Sequence, residues 1–292
     1  MIDRKITLIA TLWLIAISAG AQKLPAYQLF NEKGKSISYK KMLRTLQEAD
    51  VVLFGELHNN PICHWLELQL LRDLHNERED IVLAMEMFEA DNQLVLDEYL
   101  QGSIQEKHLL NEAKVWSNYD TDYQPLIELA KAEGIPVIAS NIPRRYANLV
   151  YRKGLSALDS LTDAAKQWIA PLPITVDMQL ASYQEMLTMM GGSSHGGDTG
   201  EAETLVHAQA VKDATMAHFT LQQLPRPVFH VNGAYHSQDK EGIVWYLQQK
   251  RPNLVIMNIN SVEQKSVDEL LEENQTNADF TICIPSDMTK TY

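Results

Sequence analysis

Short apolar runs alternate along this chain with segments of helical period, and few folds accommodate that alternation. The runs occupy residues 51–55, 81–86, 136–141, 228–233, 254–259 and 280–284. Strands that alternate with helices form βαβ crossovers and hence parallel sheets. Several runs are apolar at successive positions rather than at every second one, as strands buried on both faces are. The expected fold class is α/β, a mostly parallel central sheet flanked by helices. The helix after the first run is well marked. Asn60 suits an N-cap, Pro61 suits the first helical position, and Ile62, Leu66, Leu70 and Leu74 recur every four residues.

Residues 142–226, between the third and fourth runs, carry little strand character. Segments 142–153, 157–169, 176–190 and 201–224 have the pattern of helices, interrupted by the loop Gly191-Gly192-Ser193-Ser194-His195-Gly196-Gly197. That length exceeds a simple crossover. A helical lobe inserted between the third and fourth core strands is expected, over one end of the sheet, within a single domain 22–292.

The start of the chain bears on location. Arg4 and Lys5 precede an apolar run over 6–17, and Ser18-Ala19-Gly20-Ala21 follows with small side chains. This is the layout of a signal peptide cleaved near Ala21, so export to the periplasm or cell envelope is expected. The run is far shorter than the ~20 residues of a transmembrane helix. No cysteine stands at the junction to accept a lipid. A formal charge of −13 lacks the basic footprint that nucleic acid requires. Cys63 and Cys283 are too few for a disulfide scaffold; export permits them to pair, and their spacing leaves the matter open.

In open α/β sheets, ligands bind beyond the carboxyl ends of the strands. The runs deliver Glu56 and His58, then Glu86, Asn141, Asn232 and His236 to that position. Glu56 and His58 are two apart, so in extended backbone both leave the same side. Gly55 and Gly233 permit close turns there. Two carboxylates and two imidazoles can ligate a divalent metal ion through His58, His236, Glu56 and Glu86. They can also work without metal, an imidazole taking a proton while a carboxylate orients it. Gln209 and Asp213, four apart on one helix, either point into the same crevice or lie on a solvated face. His207 and His218 read as surface residues.

The insertion has another character. Arg144, Arg145, Tyr146, Tyr151, Arg152 and Lys153 open it, and Met186, Met189, Met190 and His195 follow. Haem needs an apolar slot, an axial ligand such as Tyr, His or Met, and cations near its propionates. Methionines at helical spacing also serve as ordinary core.

The ordered segments Val52-Leu53-Phe54-Gly55-Glu56-Leu57-His58, Ala84-Met85-Glu86-Met87-Phe88, Ala139-Ser140-Asn141-Ile142-Pro143-Arg144, Ala208-Gln209-Ala210-Val211-Lys212-Asp213-Ala214-Thr215-Met216-Ala217 and Asn232-Gly233-Ala234-Tyr235-His236 resemble the ChaN-like family of iron-regulated, haem-binding proteins. The resemblance implies an α/β core with a helical lobe, an envelope role in iron acquisition, and haem bound by a homodimer. It also implies outer-membrane haem-uptake components as partners. It points to Tyr146, Tyr151 or His195 as iron ligand, with Arg144, Asn141, Gln209 and Asp213 as further cofactor contacts. The chain departs from lipid-anchored members in lacking the lipobox cysteine. The wider superfamily is similar to erythromycin-esterase-type hydrolases and Tiki-type metalloproteases. A hydrolase or haem-processing activity on Glu56, His58, Glu86 and His236 is therefore the alternative expectation.

Overall fold

The computed structural model describes residues 24–191 and 199–292. The expected signal peptide and His195 lie outside these residues.

The apolar runs become the strands of one sheet. They are β2 (Val51–Glu56), β3 (Val82–Glu89), β4 (Val137–Asn141), β5 (Val228–Gly233), β6 (Ile256–Gln264) and β7 (Phe280–Pro285), joined by a short β1 (Gln28–Asn31). The spatial order is β1-β7-β6-β2-β5-β3-β4, parallel throughout except for β1 against β7. The α/β expectation holds. β1 carries only Leu29 and Phe30 as buried side chains, too short a pattern to stand out in the sequence.

Both faces of β2 are apolar because both are covered. Val52 and Phe54 pack with Leu66, Leu70 and Leu74 on one side. The helices associated with that side are α1 (Tyr39–Leu46), α2 (Pro61–Glu77), α3 (Gln93–Leu100), α4 (Glu106–Glu112) and α5 (Gln124–Glu133). Val51 and Leu53 face the other way. The expected start of α2 is present: the Asn60 side chain accepts from the Ile62 N–H at 3.0 Å, and Pro61 is the first helical residue.

Between β4 and β5 the chain is helical, as expected, with α6 (Arg144–Lys153), α7 (Asp163–Lys166), α8 (Ala181–Gly191) and α9 (Thr199–Leu221). The expected helix over 157–169 is not continuous. A 3-10 segment, Leu155–Ser160, ends at an extended Leu161, and Thr162 caps the single turn of α7. The helix expected over 176–190 begins only at Ala181.

α9 belongs to two layers at once. Val206 and Ala210 pack with Tyr183 of α8, and Ala208 and Val211 pack with α6. Further on, Ala214, Met216 and Ala217 cover the second face of the sheet beside α10 (Ile243–Lys250). The inserted segment therefore completes the sheet's covering as well as forming a lobe. Edge strand β4 is closed by a side chain: Gln93 donates to the Val137 carbonyl and accepts from the Ala139 N–H, both at 2.8 Å. Cys63 and Cys283 are buried free thiols.

Candidate functional site

β2 and β5 end side by side at one cleft, and Glu86, three residues before the end of β3, is buried next to it against His236. The cleft has a volume of about 620 Å³ and is lined by Glu56, His58, Gln209, Tyr235 and His236 among others. Gly233 allows the close approach. A Cβ there would stand 2.6 Å from His58 Nε2 and 3.6 Å from a Glu86 oxygen, so the backbone of β5 is the floor on which these side chains meet.

On one side, His236 lies between two carboxylates. Its Nε2 is 3.1 Å from Glu86 Oε1 and its Nδ1 is 2.5 Å from Asp213 Oδ1. The Gly233 N–H donates to Glu86 Oε2 at 2.8 Å, and the Tyr183 hydroxyl donates to Asp213 Oδ2 at 2.8 Å. Burial works against the charge on His236, yet Glu86 and Asp213 outweigh it and push its pKa up to about 9. Glu86, equally buried, is held at about 2 chiefly by His236. The side-chain amide of Gln209 lies 2.8 Å from His236 Nδ1. Gln209 thus lines the crevice, while Asp213 is buried against His236 rather than on a solvated face.

On the other side, His58 Nδ1 is 2.5 Å from Glu56 Oε1, which also accepts from the Tyr123 hydroxyl at 2.7 Å. Burial opposes the charge on His58, but Glu56 and Glu86 raise its pKa overall. His58 is partly exposed, with its ring edge-on to Trp116. A carboxylate that fixes one ring nitrogen while the imidazole borders a cleft is the arrangement of a positioned general base.

Beneath His58 lies a group that sequence pattern missed. His64, Glu67 and Asp122 are buried against Glu56. His64 Nδ1 is 3.3 Å from Glu56 Oε2 and 3.4 Å from Glu67 Oε2, and its Nε2 is 3.4 Å from Asp122 Oδ2. Despite burial, Glu56 and Glu67 raise His64 to about 11. Burial and the neighbouring Glu56 charge keep Glu67 well above the usual carboxylate range. Among the described residues, the group with ligand atoms spaced for one metal ion is Glu56, His64 and Glu67, all within 4.8 Å of one another. The i+4 apolar stripe of α2 does not include His64, and Glu67 lies beside it, three residues before Leu70 and seven before Leu74; packing against the strand ends buries both.

Other sequence candidates are placed elsewhere. Asn232 turns into the interior, where it meets His230 and donates to Ser237. Burial holds His230 down to about 4. Asn141 ends β4, with its side-chain carbonyl buried and unpartnered. On α6, Arg144 is exposed, while Tyr146 and Tyr151 pack on the cluster that contains Ala208 and Val211. Arg145 pairs with Asp91 and stacks over the Tyr146 ring at 4.5 Å. His207, expected at the surface, has its Nδ1 buried with no hydrogen-bond partner. Met186 packs against the Tyr183 cluster, and Met189 is exposed. α9 carries Ala208 and Val211 toward α6, and Gln209 and Asp213 toward His236, so one helix touches both candidate regions.

No curated protein matches the chain. Among solved structures, ChaN of Campylobacter jejuni, described by its cofacial haem binding, superposes with a TM-score of 0.69 at 18% identity, covering 89% of this chain and 97% of that one. The type III effector HopBA1 gives 0.46 at 12% identity over 84% and 91% of the two chains. An erythromycin esterase mutant in its open conformation gives 0.47 at 10% identity over 81% and 77%. The family model for haem-binding uptake proteins of the Tiki superfamily, ChaN, matches residues 42–247. That match spans most of the chain and includes the helical insertion, and the chain belongs to the ChaN family.

Proposed function

We propose that this protein binds haem against the α6–α9 lobe and holds or relays it in the cell envelope during haem acquisition. The family match over residues 42–247 carries this reading. The residues present suit the group. Tyr146 and Tyr151 pack on an apolar cluster, with Arg144, Arg152 and Lys153 as cations on the same helix. The His207 Nδ1, buried without a partner, lies one residue from Ala208 of that cluster. Haem would supply a ferric iron that accepts a phenolate or imidazole ligand. Tyr146, Tyr151 and His195 are the candidate ligands, and the lobe's apolar residues would shield the ring from water. The signal-peptide pattern in the sequence of residues 1–21 supports export. Homodimerisation around haem and exchange with outer-membrane uptake components belong to the same reading. Among the described residues, no helix is long and apolar enough to cross a membrane.

Titration of the purified protein with hemin tests the proposal. A saturable Soret shift is expected, altered by Tyr146→Phe, Tyr151→Phe or His195→Ala, together with a change in sedimentation on loading. No spectral change at micromolar hemin overturns it.

A second reading rests on the Glu56–His58 pair at the cleft, which suits hydrolysis with His58 as base. Turnover of an ester or peptide panel, abolished by His58→Ala, would support it; an inactive wild type would dismiss it.

A further inference from the structure

We propose that Glu56, His64 and Glu67 form a buried site for one divalent first-row transition ion beneath the cleft, separate from any haem. The ligand atoms of these side chains lie within 4.8 Å of one another, close enough to share one ion. Their hydrogen bonding is incomplete in a telling way. Glu67 Oε1 is buried without a hydrogen-bond partner, and Glu56 Oε2 has only the His64 Nδ1 contact at 3.3 Å, although both residues are at most 1% exposed. A buried carboxylate oxygen is ordinarily satisfied by a donor or a metal.

The surrounding contacts orient the set as outer partners orient metal ligands. His64 Nε2 faces Asp122 Oδ2 at 3.4 Å and the His58 carbonyl at 3.2 Å, which leaves Nδ1 turned toward the two glutamates. Asp122 is itself held by Asn118 and Thr291, which donate to its Oδ2 at 2.6 and 2.9 Å. His58 and Tyr123 both engage Glu56 Oε1 and leave Oε2 for the interior. One imidazole nitrogen with two carboxylates and no thiolate suits Mn²⁺, Fe²⁺, Co²⁺ or Zn²⁺ rather than a soft ion. The group differs from the strand-end set Glu56, His58, Glu86 and His236: it shares only Glu56, and two of its members come from α2.

Metal-free full-length protein, without haem, is titrated with Co²⁺. Its d–d absorption reports coordination independently of any activity. The expected result is one Co²⁺ per chain, and a rise in Tm with either Co²⁺ or Zn²⁺. Glu67→Gln and His64→Gln should each weaken Co²⁺ binding by more than about a hundredfold, and Asp122→Asn by roughly 10–100-fold, as loss of an outer partner does. Glu86→Gln should bind Co²⁺ as the wild type does. Glu67→Gln should keep the wild-type hemin response, which separates this test from that of haem binding. If Glu67→Gln fails to fold by circular dichroism, His64→Gln and Asp122→Asn decide the matter. A wild type that binds neither ion overturns the proposal. So does a Glu67→Gln variant of undiminished affinity, or binding lost instead in Glu86→Gln.

Discussion

His236 and Glu86 stabilise one another in opposite protonation states, which gives the pair a defined pH window. The His236 pKa rises from 6.5 to about 9 on folding, so its contribution is complete below the unfolded value and is lost as pH rises through 9. The Glu86 pKa falls from 4.5 to about 2, so its contribution is present above 4.5 and is lost as pH falls through 2. Wild-type Tm should therefore decline between pH 6.5 and 9, and Glu86→Gln should flatten that decline; equal slopes in the two proteins would refute the assignment. The glycines give a second residue-scale contrast. Gly242 has φ of +52°, and a Cβ there would lie 2.3 Å from the His236 carbonyl oxygen. Gly242→Ala should cost more than about 3 kcal/mol in urea unfolding, because backbone strain and a rigid clash add. At Gly233 the obstacle is the movable end of His58, so Gly233→Ala should fold and displace that imidazole. Position at strand ends was enough to nominate Glu56, His58, Glu86 and His236. It could not nominate His64 or Glu67, which stand on a helix rather than at a strand end and whose burial depends on what α2 packs against.

At the scale of elements, strand runs were legible because a strand covered on both faces must be apolar on both. Helix boundaries were less so. The stop before α7 is a local competition: Thr162 accepts from the Ala165 N–H and starts a new turn instead of continuing the preceding one. Two elements depend on single side chains. Asn60 caps α2 and also donates to Glu263 Oε1 at 2.8 Å. Asn60→Ala should lower stability by about 1–3 kcal/mol, from the lost cap and a buried hydrogen bond together. Gln93 substitutes for a neighbouring strand at β4. Gln93→Leu should cost about 1–3 kcal/mol and promote self-association, detectable by light scattering, because it uncovers a carbonyl and an N–H at the sheet edge.

Across the whole molecule, β2 ties the two cores together, with Val52 and Phe54 in one and Val51 and Leu53 in the other. Leu53→Ala should cost about 2–5 kcal/mol and Phe54→Ala about 3–5 kcal/mol. We expect either variant to unfold in one transition followed alike by tryptophan fluorescence and far-ultraviolet circular dichroism, since both cores share that strand. Two separate transitions would mean that the helical insertion folds apart from the sheet. Periodicity alone determined that this chain builds a parallel sheet, and order along the chain determined which residues stand at its carboxyl edge. Those are local properties, written in the spacing of apolar side chains and the turns that follow. The partners of each side chain were decided only by tertiary structure. Glu86 and Asp213 converge on His236 from β3 and α9, and the balance of burial against neighbouring charge that raises the His236 pKa exists only once those elements have packed.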